Sequence, residues 1–261
     1  MILELRDIRM SYANAYNEVC NLLRGVNMAV EERKVTALIG GNGAGKTTLF
    51  NIISGFEKDF EGHVIFEGKD ISRMPSHRIS LMGMGRLFQG RQLMDDLTLM
   101  ENMKIASDDT MGESPFDIFL KPKKVSQSEA AKEGQALMVL KKVFGDNNKY
   151  LGMLDCKASQ VSYGEQRLMA MARLLMSNDR LLLLDEPTSG VNPRYIEKFQ
   201  WIIRDLVENQ GKTVLLIEHN MSFVRSVADR CHYLADGVII KNGSAQKVLD
   251  DPIIRKDYLG L

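Results

Sequence analysis

At 261 residues the chain is long enough for one large domain or two modest ones, and its 34 basic and 34 acidic side chains cancel, which argues against a dedicated nucleic-acid binder. Cys20, Cys156 and Cys231 stand apart with no C-x-x-C pair, which argues against a zinc or iron–sulfur site and against a disulfide framework. No apolar stretch approaches the ~18 residues of a membrane span and no signal-peptide pattern opens the chain, so a cytoplasmic protein is expected, associating with membranes only through a partner or an exposed surface.

The first third reads as short strands. Leu3, Leu5 and Ile8 to Met10, then Val26, Met28 and Val30, then Val64 and Phe66 show fragments of apolar–polar alternation, bounded by turn residues such as Gly62 and Gly68. Val35 to Ile39 is nearly all apolar, as a central strand buried on both faces would be. Directly after it come Gly40, Gly41, Asn42, Gly43, Ala44, Gly45, Lys46, Thr47 and Thr48, which fit G-x-x-x-x-G-K-[ST], and a helical pattern begins at Lys46. A phosphate-binding loop requires this strand–loop–helix context. Its glycines let successive N–H groups face inward as an anion nest. Lys46 adds a point charge for β- and γ-phosphates, and the Thr47 hydroxyl suits Mg²⁺. The expected ligand is a nucleoside triphosphate.

Gln89, in Arg86-Leu87-Phe88-Gln89, marks the passage to a helical stretch, where its amide can serve both the metal shell and a hinge. From about Leu93 to Met176 strand candidates are few. Glu129 to Phe144 is expected as a helix, with Ala130, Leu137, Leu140 and Val143 on helical spacing. Asp108 to Ser128, interrupted by Pro115 and Pro122, reads as a solvent-exposed excursion anchored by Phe116, Ile118, Phe119 and Leu120. Ser162 and Glu165 form the S-x-x-E capping box of a helix with Leu168, Met171, Ala172 and Leu175 on one face.

Leu181 to Leu184 is a second buried strand, and it ends in Asp185 and Glu186. Two acids so placed lie at the carboxyl edge of a parallel sheet, where ligands of open α/β folds bind. There Asp185 can hold Mg²⁺ through water, while Glu186 can orient and deprotonate an attacking water. Asn192 and Pro193 open another helix, with Ile196, Phe199, Ile203 and Leu206 as its stripe and Gly211 at its end. Val214 to Ile217 is a third buried strand, and His219 closes it at the same edge, able to bond a γ-phosphate or a carbonyl beside the water. Tyr233 to Lys241 reads as a hairpin turning at Asp236-Gly237. Three buried runs interleaved with helices imply a parallel sheet covered on both faces.

In this order the motifs resemble those of the nucleotide-binding subunit of an ABC transporter, over essentially the whole chain. They are the phosphate loop Gly40 to Thr48, the Q-loop glutamine Gln89, the signature Val161-Ser162-Tyr163-Gly164-Glu165-Gln166-Arg167, Asp185-Glu186-Pro187, the D-loop-like Ser189-Gly190-Val191-Asn192-Pro193 and the switch histidine His219. The resemblance implies an α/β P-loop NTPase with a RecA-like parallel sheet, an N-terminal antiparallel β region and an inserted helical subdomain. It places the catalytic core at 1–92 and 177–242, the helical subdomain at 93–176 and a tail at 243–261. It implies ATP and Mg²⁺ as ligands, with Lys46, Gln89, Glu186 and His219 catalytic and Thr47, Gln89 and Asp185 around the metal. It further implies a head-to-tail pair of subunits, in which Ser162, Gly164 and Glu165 of one complete the other's nucleotide site. Tyr12 matches the aromatic that stacks on adenine, with Tyr16 as a nearby competitor.

Tyr163, the Gly190 to Pro193 run and the ending Asp251 to Gly260 are similar to the subclass that imports branched-chain amino acids and related solutes. That likeness implies an integral membrane permease docked near Gln89 to Met103, indirectly an extracytoplasmic solute-binding protein, and a place on the cytoplasmic face of the inner membrane. Nucleic acid is not an expected partner. Departures from the pattern are Gly41 in the phosphate loop, Val161 in the signature and Arg91-Gln92-Leu93-Met94 after the Q-loop; none removes a catalytic group. The alternatives are a lipid or solute export ATPase, or a soluble ABC-type ATPase of DNA repair or translation. The latter usually carries a long coiled coil or two nucleotide modules, whereas this chain has one module and no sustained heptads.

Overall fold

A computed structural model describes residues 1–13, 19–90, 93–107, 109, 115–145 and 152–259. Two compact units emerge, one of Met1–Gln89, Asp179–Ser189 and Ile203–Leu261, the other of Gly90–Asn178 and Gly190–Ile202.

The first unit holds two sheets. Strands β1 (Leu3–Ala13), β2 (Val19–Val30), β3 (Val35–Ile39), β4 (Glu61–Phe66), β5 (Lys69–Asp70), β6 (Met84–Leu87), β7 (Leu181–Asp185), β8 (Thr213–Ile217), β9 (Arg230–Ala235) and β10 (Val238–Ser244) divide between them. An antiparallel sheet runs β2-β1-β4-β5, and a six-stranded sheet runs β10-β9-β3-β8-β7-β6, parallel throughout except for β10. Every residue of β3, β7 and β8 is buried, so their continuous apolar character is what the parallel ladder demands. Between β3 and β4 lies α1 (Lys46–Ile53), whose Leu49, Phe50 and Ile53 join a core with Leu3, Ile8, Phe66, Leu183 and Leu215. Each such side chain contributes about 1.5–3 kcal/mol relative to exposure. Between β5 and β6 lies the short α2 (Ser76–Leu81). The β9–β10 hairpin turns at Asp236 and Gly237, both at positive φ, as a tight turn matched to strand twist requires. Cys231 sits fully buried within β9.

The second unit is helical, with α3 (Leu99–Lys104), α4 (Pro115–Leu120), α5 (Pro122–Phe144) and α6 (Tyr163–Leu174). Pro122 opens α5 at its first turn, where a missing N–H costs nothing, so the proline that reads as a helix breaker is a helix start. The expected anchor is also corrected: Phe116, Phe119 and Leu120 are exposed, while the side chain of Ile118 lies outside the described residues.

Two boundaries differ from those expected. Gly190–Ile202 belongs with the helical unit, where Lys198 Nζ donates to the Val143 carbonyl at 3.0 Å and Gly190 lies against the Tyr163 ring. The helix α7 (Ile196–Glu208) therefore begins in the second unit and ends in the first. The stretch expected as a tail, 243–261, is helical over much of its described part. After α8 (Met221–Val227), the helix α9 (Ala245–Leu249) buries Ala245, Val248 and Leu249 against β9, β10 and α8, and α10 (Pro252–Leu259) follows with Ile254 buried. Among the described residues no helix is long and apolar enough to cross a membrane.

Candidate functional site

The loop after β3 turns into α1 at Gly45, whose φ of 98° lies in the left-handed region, and a Cβ there would come within 2.8 Å of Leu23 Cδ2. Only glycine fits. No side chain caps α1 and no acid lies in its first turn, so its N–H groups are left for a ligand anion. Asn42, Gly43 and Thr47 are exposed on this loop, with Ala44 and Thr48 half-buried. Lys46 is buried, and its Nζ donates to the carbonyls of Gly40 at 2.8 Å and Gly41 at 2.9 Å, spanning the loop from within. Burial lowers the ammonium's pKa from its usual value, against the opposing pull of Glu186 and Asp185.

Asp185 ends β7 at 1% exposure. Arg86 Nη2 donates to its Oδ2 at 3.3 Å, while Oδ1 is buried without a partner. Burial raises the carboxyl's pKa, with Arg86 as the main opposing influence. Glu186 follows at φ 46°, a left-handed conformation that costs a non-glycine residue of order 1–3 kcal/mol and turns the chain off the sheet edge. Its carboxylate is gripped on both oxygens. Gln89 Nε2 donates to Oε2 at 2.9 Å, and His219 Nε2 lies 2.9 Å from Oε1. The structure thus brings Lys46, Gln89, Asp185, Glu186 and His219 into one cluster. Tyr12 is half-exposed on β1, paired with Cys20 of β2, and Tyr16 lies outside the described residues.

Two residues escaped the sequence reading. Arg86, on β6, donates through Nη1 to Asn51 Oδ1 (2.9 Å) and Ser54 Oγ (2.8 Å) of the α1 region, as well as to Asp185. Its guanidinium lies 4.4 Å from the Phe88 ring centroid, 5.7 Å from Phe50 and 5.8 Å from Phe56. Glu218 is buried at 3% exposure, accepts from the Thr188 backbone and hydroxyl through Oε1, and accepts from the His219 backbone through Oε2. It ties the turn after β7 to the turn after β8. In both cases the available signal is a charge placed in or beside an otherwise buried strand.

Ser162, Gly164 and Glu165 lie in the second unit, at the start of α6. The capping box forms, with Glu165 N donating to Ser162 Oγ at 3.4 Å and Ser162 N donating to Glu165 Oε2 at 3.1 Å. A Cβ on Gly164 would meet the Tyr195 ring at 2.9 Å, so the aromatic packs where only glycine leaves room. Arg167 Nη1 donates to the Gly90 carbonyl at 2.8 Å.

The residues fit a magnesium–triphosphate ligand. The uncapped helix suits phosphate oxygens, and the orphaned Asp185 Oδ1 and exposed Thr47 are hard oxygen donors of the kind Mg²⁺ takes. Among the described residues no three His, Cys, Asp or Glu side chains could hold a metal by themselves.

Comparison with known proteins gives a consistent result. A profile of the ABC transporter family matches residues 23–189. The high-affinity branched-chain amino acid transport ATP-binding protein BraF of Pseudomonas aeruginosa is 33% identical over 238 residues, 91% of each chain. A probable branched-chain amino acid transport ATP-binding protein, LivG, of Archaeoglobus fulgidus is 34% identical, covering 91% of this chain and 89% of the relative. Among solved structures, a nucleotide-free ATP-binding cassette from an ABC transporter is similar at TM-score 0.78 and 32% identity, covering 100% of this chain and 99% of that one. A dimeric post-hydrolysis cassette bound to ADP and Pi is similar at TM-score 0.75 and 25% identity, covering 93% and 98%.

Proposed function

This chain belongs to the ABC transporter family and is an ATPase, and we propose that it powers import of branched-chain amino acids or a related small solute through an integral membrane permease. Relatives named for branched-chain amino acid transport support the solute class. The observation that carries the chemistry is Glu186, held on both oxygens by Gln89 and His219 beside Lys46 and the unpartnered oxygen of Asp185.

In this reading Gly40 to Thr48 bind the phosphates, with Lys46 on the β- and γ-groups, and Tyr12 stacks on adenine. Thr47, Asp185 and Gln89 would hold Mg²⁺, which would polarise the phosphate oxygens. Water attacks the γ-phosphorus, Glu186 takes its proton, and the bond to ADP breaks. Gln89 and His219 fix the carboxylate so that it meets the water in one orientation. Two such subunits, identical or homologous, pack head to tail. Each presents Ser162, Gly164 and the first turn of α6 to the other's γ-phosphate. A similar cassette solved as a dimer supports the pairing of two subunits. The subunit then sits at the cytoplasmic face of the membrane through the permease, which receives solute from an extracytoplasmic binding protein.

Glu186→Gln should keep ATP binding, lower the chemical step by roughly 10²–10⁴-fold, and stabilise an ATP-bound dimer seen by size-exclusion chromatography. A variant that hydrolyses at the unmutated rate would sink the assignment. Crosslinking from Asp96→Cys in native membranes should capture an integral membrane protein. Arg91, the other natural crosslinking position, lies outside the described residues. Capture of none, together with ATP hydrolysis stimulated by DNA or ribosomes, would replace the transport reading with a soluble ATPase.

A further inference from the structure

On α4 the side chains of Phe116, Phe119 and Leu120 lie at i, i+3 and i+4, one face of the helix, and are 76%, 85% and 74% exposed. Lys121, Lys123 and Lys124 follow directly, all exposed. Single apolar residues scattered over a surface are ordinary. Three large ones on one helical face, adjoining three cations, make the pattern of an interfacial segment.

The lysines at the start of α5 do not complement its dipole. Lys121 stands at the N-cap position of α5 without a side-chain capping bond, and Lys123 and Lys124 occupy the first turn, which holds no acid. Cations there oppose the helix dipole, so their placement is unfavourable for α5 itself. The stretch 115–128 carries three lysines against Asp117, a net +2, in a chain whose 34 basic and 34 acidic side chains otherwise balance. Apolar tips beside cations at the wrong end of a helix call for an outside partner that is apolar within and anionic at its surface.

We propose that the α4–α5 elbow, Phe116 to Lys124, is a contact surface for an anionic lipid bilayer. The aromatic and leucine side chains enter the interface between headgroups and acyl chains, and the three lysines meet headgroup phosphates. The degree of exposure favours a fluid bilayer over a protein groove, because a lipid surface shapes itself around apolar side chains that stand this far out on one helical face. The proposal rests on the chain working beside a membrane permease and adds a contact that the permease does not supply. With one short helix and three charges the contact is weak and reversible, suited to orienting the helical unit and too weak to anchor the chain alone.

The full chain, without permease, is to be sedimented with vesicles of equimolar phosphatidylglycerol and phosphatidylcholine, and with phosphatidylcholine alone. Binding is expected to the anionic vesicles only and should be lost as salt is raised. Replacing the three lysines by glutamine should weaken it roughly 100-fold, from about a factor of five per lysine. Phe116→Ser with Phe119→Ser should also abolish it while leaving the melting temperature and nucleotide binding unchanged, since both side chains are exposed. Equal binding to both vesicle types, no binding by the unmutated chain, or lysine variants that bind as well would overturn the proposal. So would self-association that the phenylalanine changes abolish in the absence of lipid binding, which would make a second copy the occupant. The vesicles hold no permease, so failure here leaves the transport reading standing, whereas failure of the Asp96 crosslink does not bear on lipid.

Discussion

At the Arg86–Asp185 pair, burial and attraction oppose each other. The side chains are 6% and 1% exposed, and each group's pKa moves toward its neutral form: burial lowers that of Arg86 and raises that of Asp185, outweighing their mutual attraction. Removing one member alone leaves the other charge buried without its counter-ion. Arg86→Met should destabilise the first unit by roughly 3–5 kcal/mol, because it leaves an uncompensated buried charge. Adding Asp185→Asn should recover much of that loss, and urea unfolding of the two single variants and the double variant measures the coupling. Additive effects would mean that the 3.3 Å contact carries no energy. Nucleotide affinity of Arg86→Lys, with and without Mg²⁺, would show whether the planar fork is needed to turn Oδ1 free while Oδ2 is held.

Between elements, His232 joins the two sheets. From β9 its Nε2 meets the Ala29 carbonyl of β2 at 3.2 Å, and the residue is 7% exposed. Burial lowers its pKa from the usual 6.5, so on acidification the unfolded chain takes up a proton before the folded one does. Its contribution is complete above 6.5 and is lost as pH falls from there through the lower folded value. Acidification just below 6.5 should therefore lower the melting temperature, and His232→Gln should flatten that part of the curve. Lowered carboxylates such as Glu129 act further down, from 4.5. An unchanged slope in the variant would assign the loss to other groups.

Elements of this kind differ in how legible they are. The strands β3, β7 and β8, the hairpin turn and the Ser162–Glu165 cap were readable because apolar runs, turn glycines and capping residues each act locally. The placing of Lys46, Asp185, Glu186 and His219 at one sheet edge was readable too, since each stands at a fixed place beside such a run. Arg86 and Glu218 were not, since their meaning lies in partners 99 and 30 residues away. Gly190–Ile202 was assigned to the wrong unit for the same reason: contacts of Lys198 and Tyr195, and not composition, decide it.

For the whole molecule, the thiol of Cys231 offers a clock. Burial in β9 pushes its pKa up to about 12, so near neutral pH it is both inaccessible and un-ionised. Cys20 is exposed and Cys156 partly so, and both should react with a maleimide at once. Replacing those two leaves a chain whose only thiol reacts when the parallel sheet opens. The slow labelling rate then counts openings of the first unit, one molecule at a time, without denaturant. ATP at about 100 times its dissociation constant should slow that count roughly 100-fold, if opening destroys the site. A rate indifferent to ATP would mean that the strand bearing Cys231 comes loose while the nucleotide stays bound.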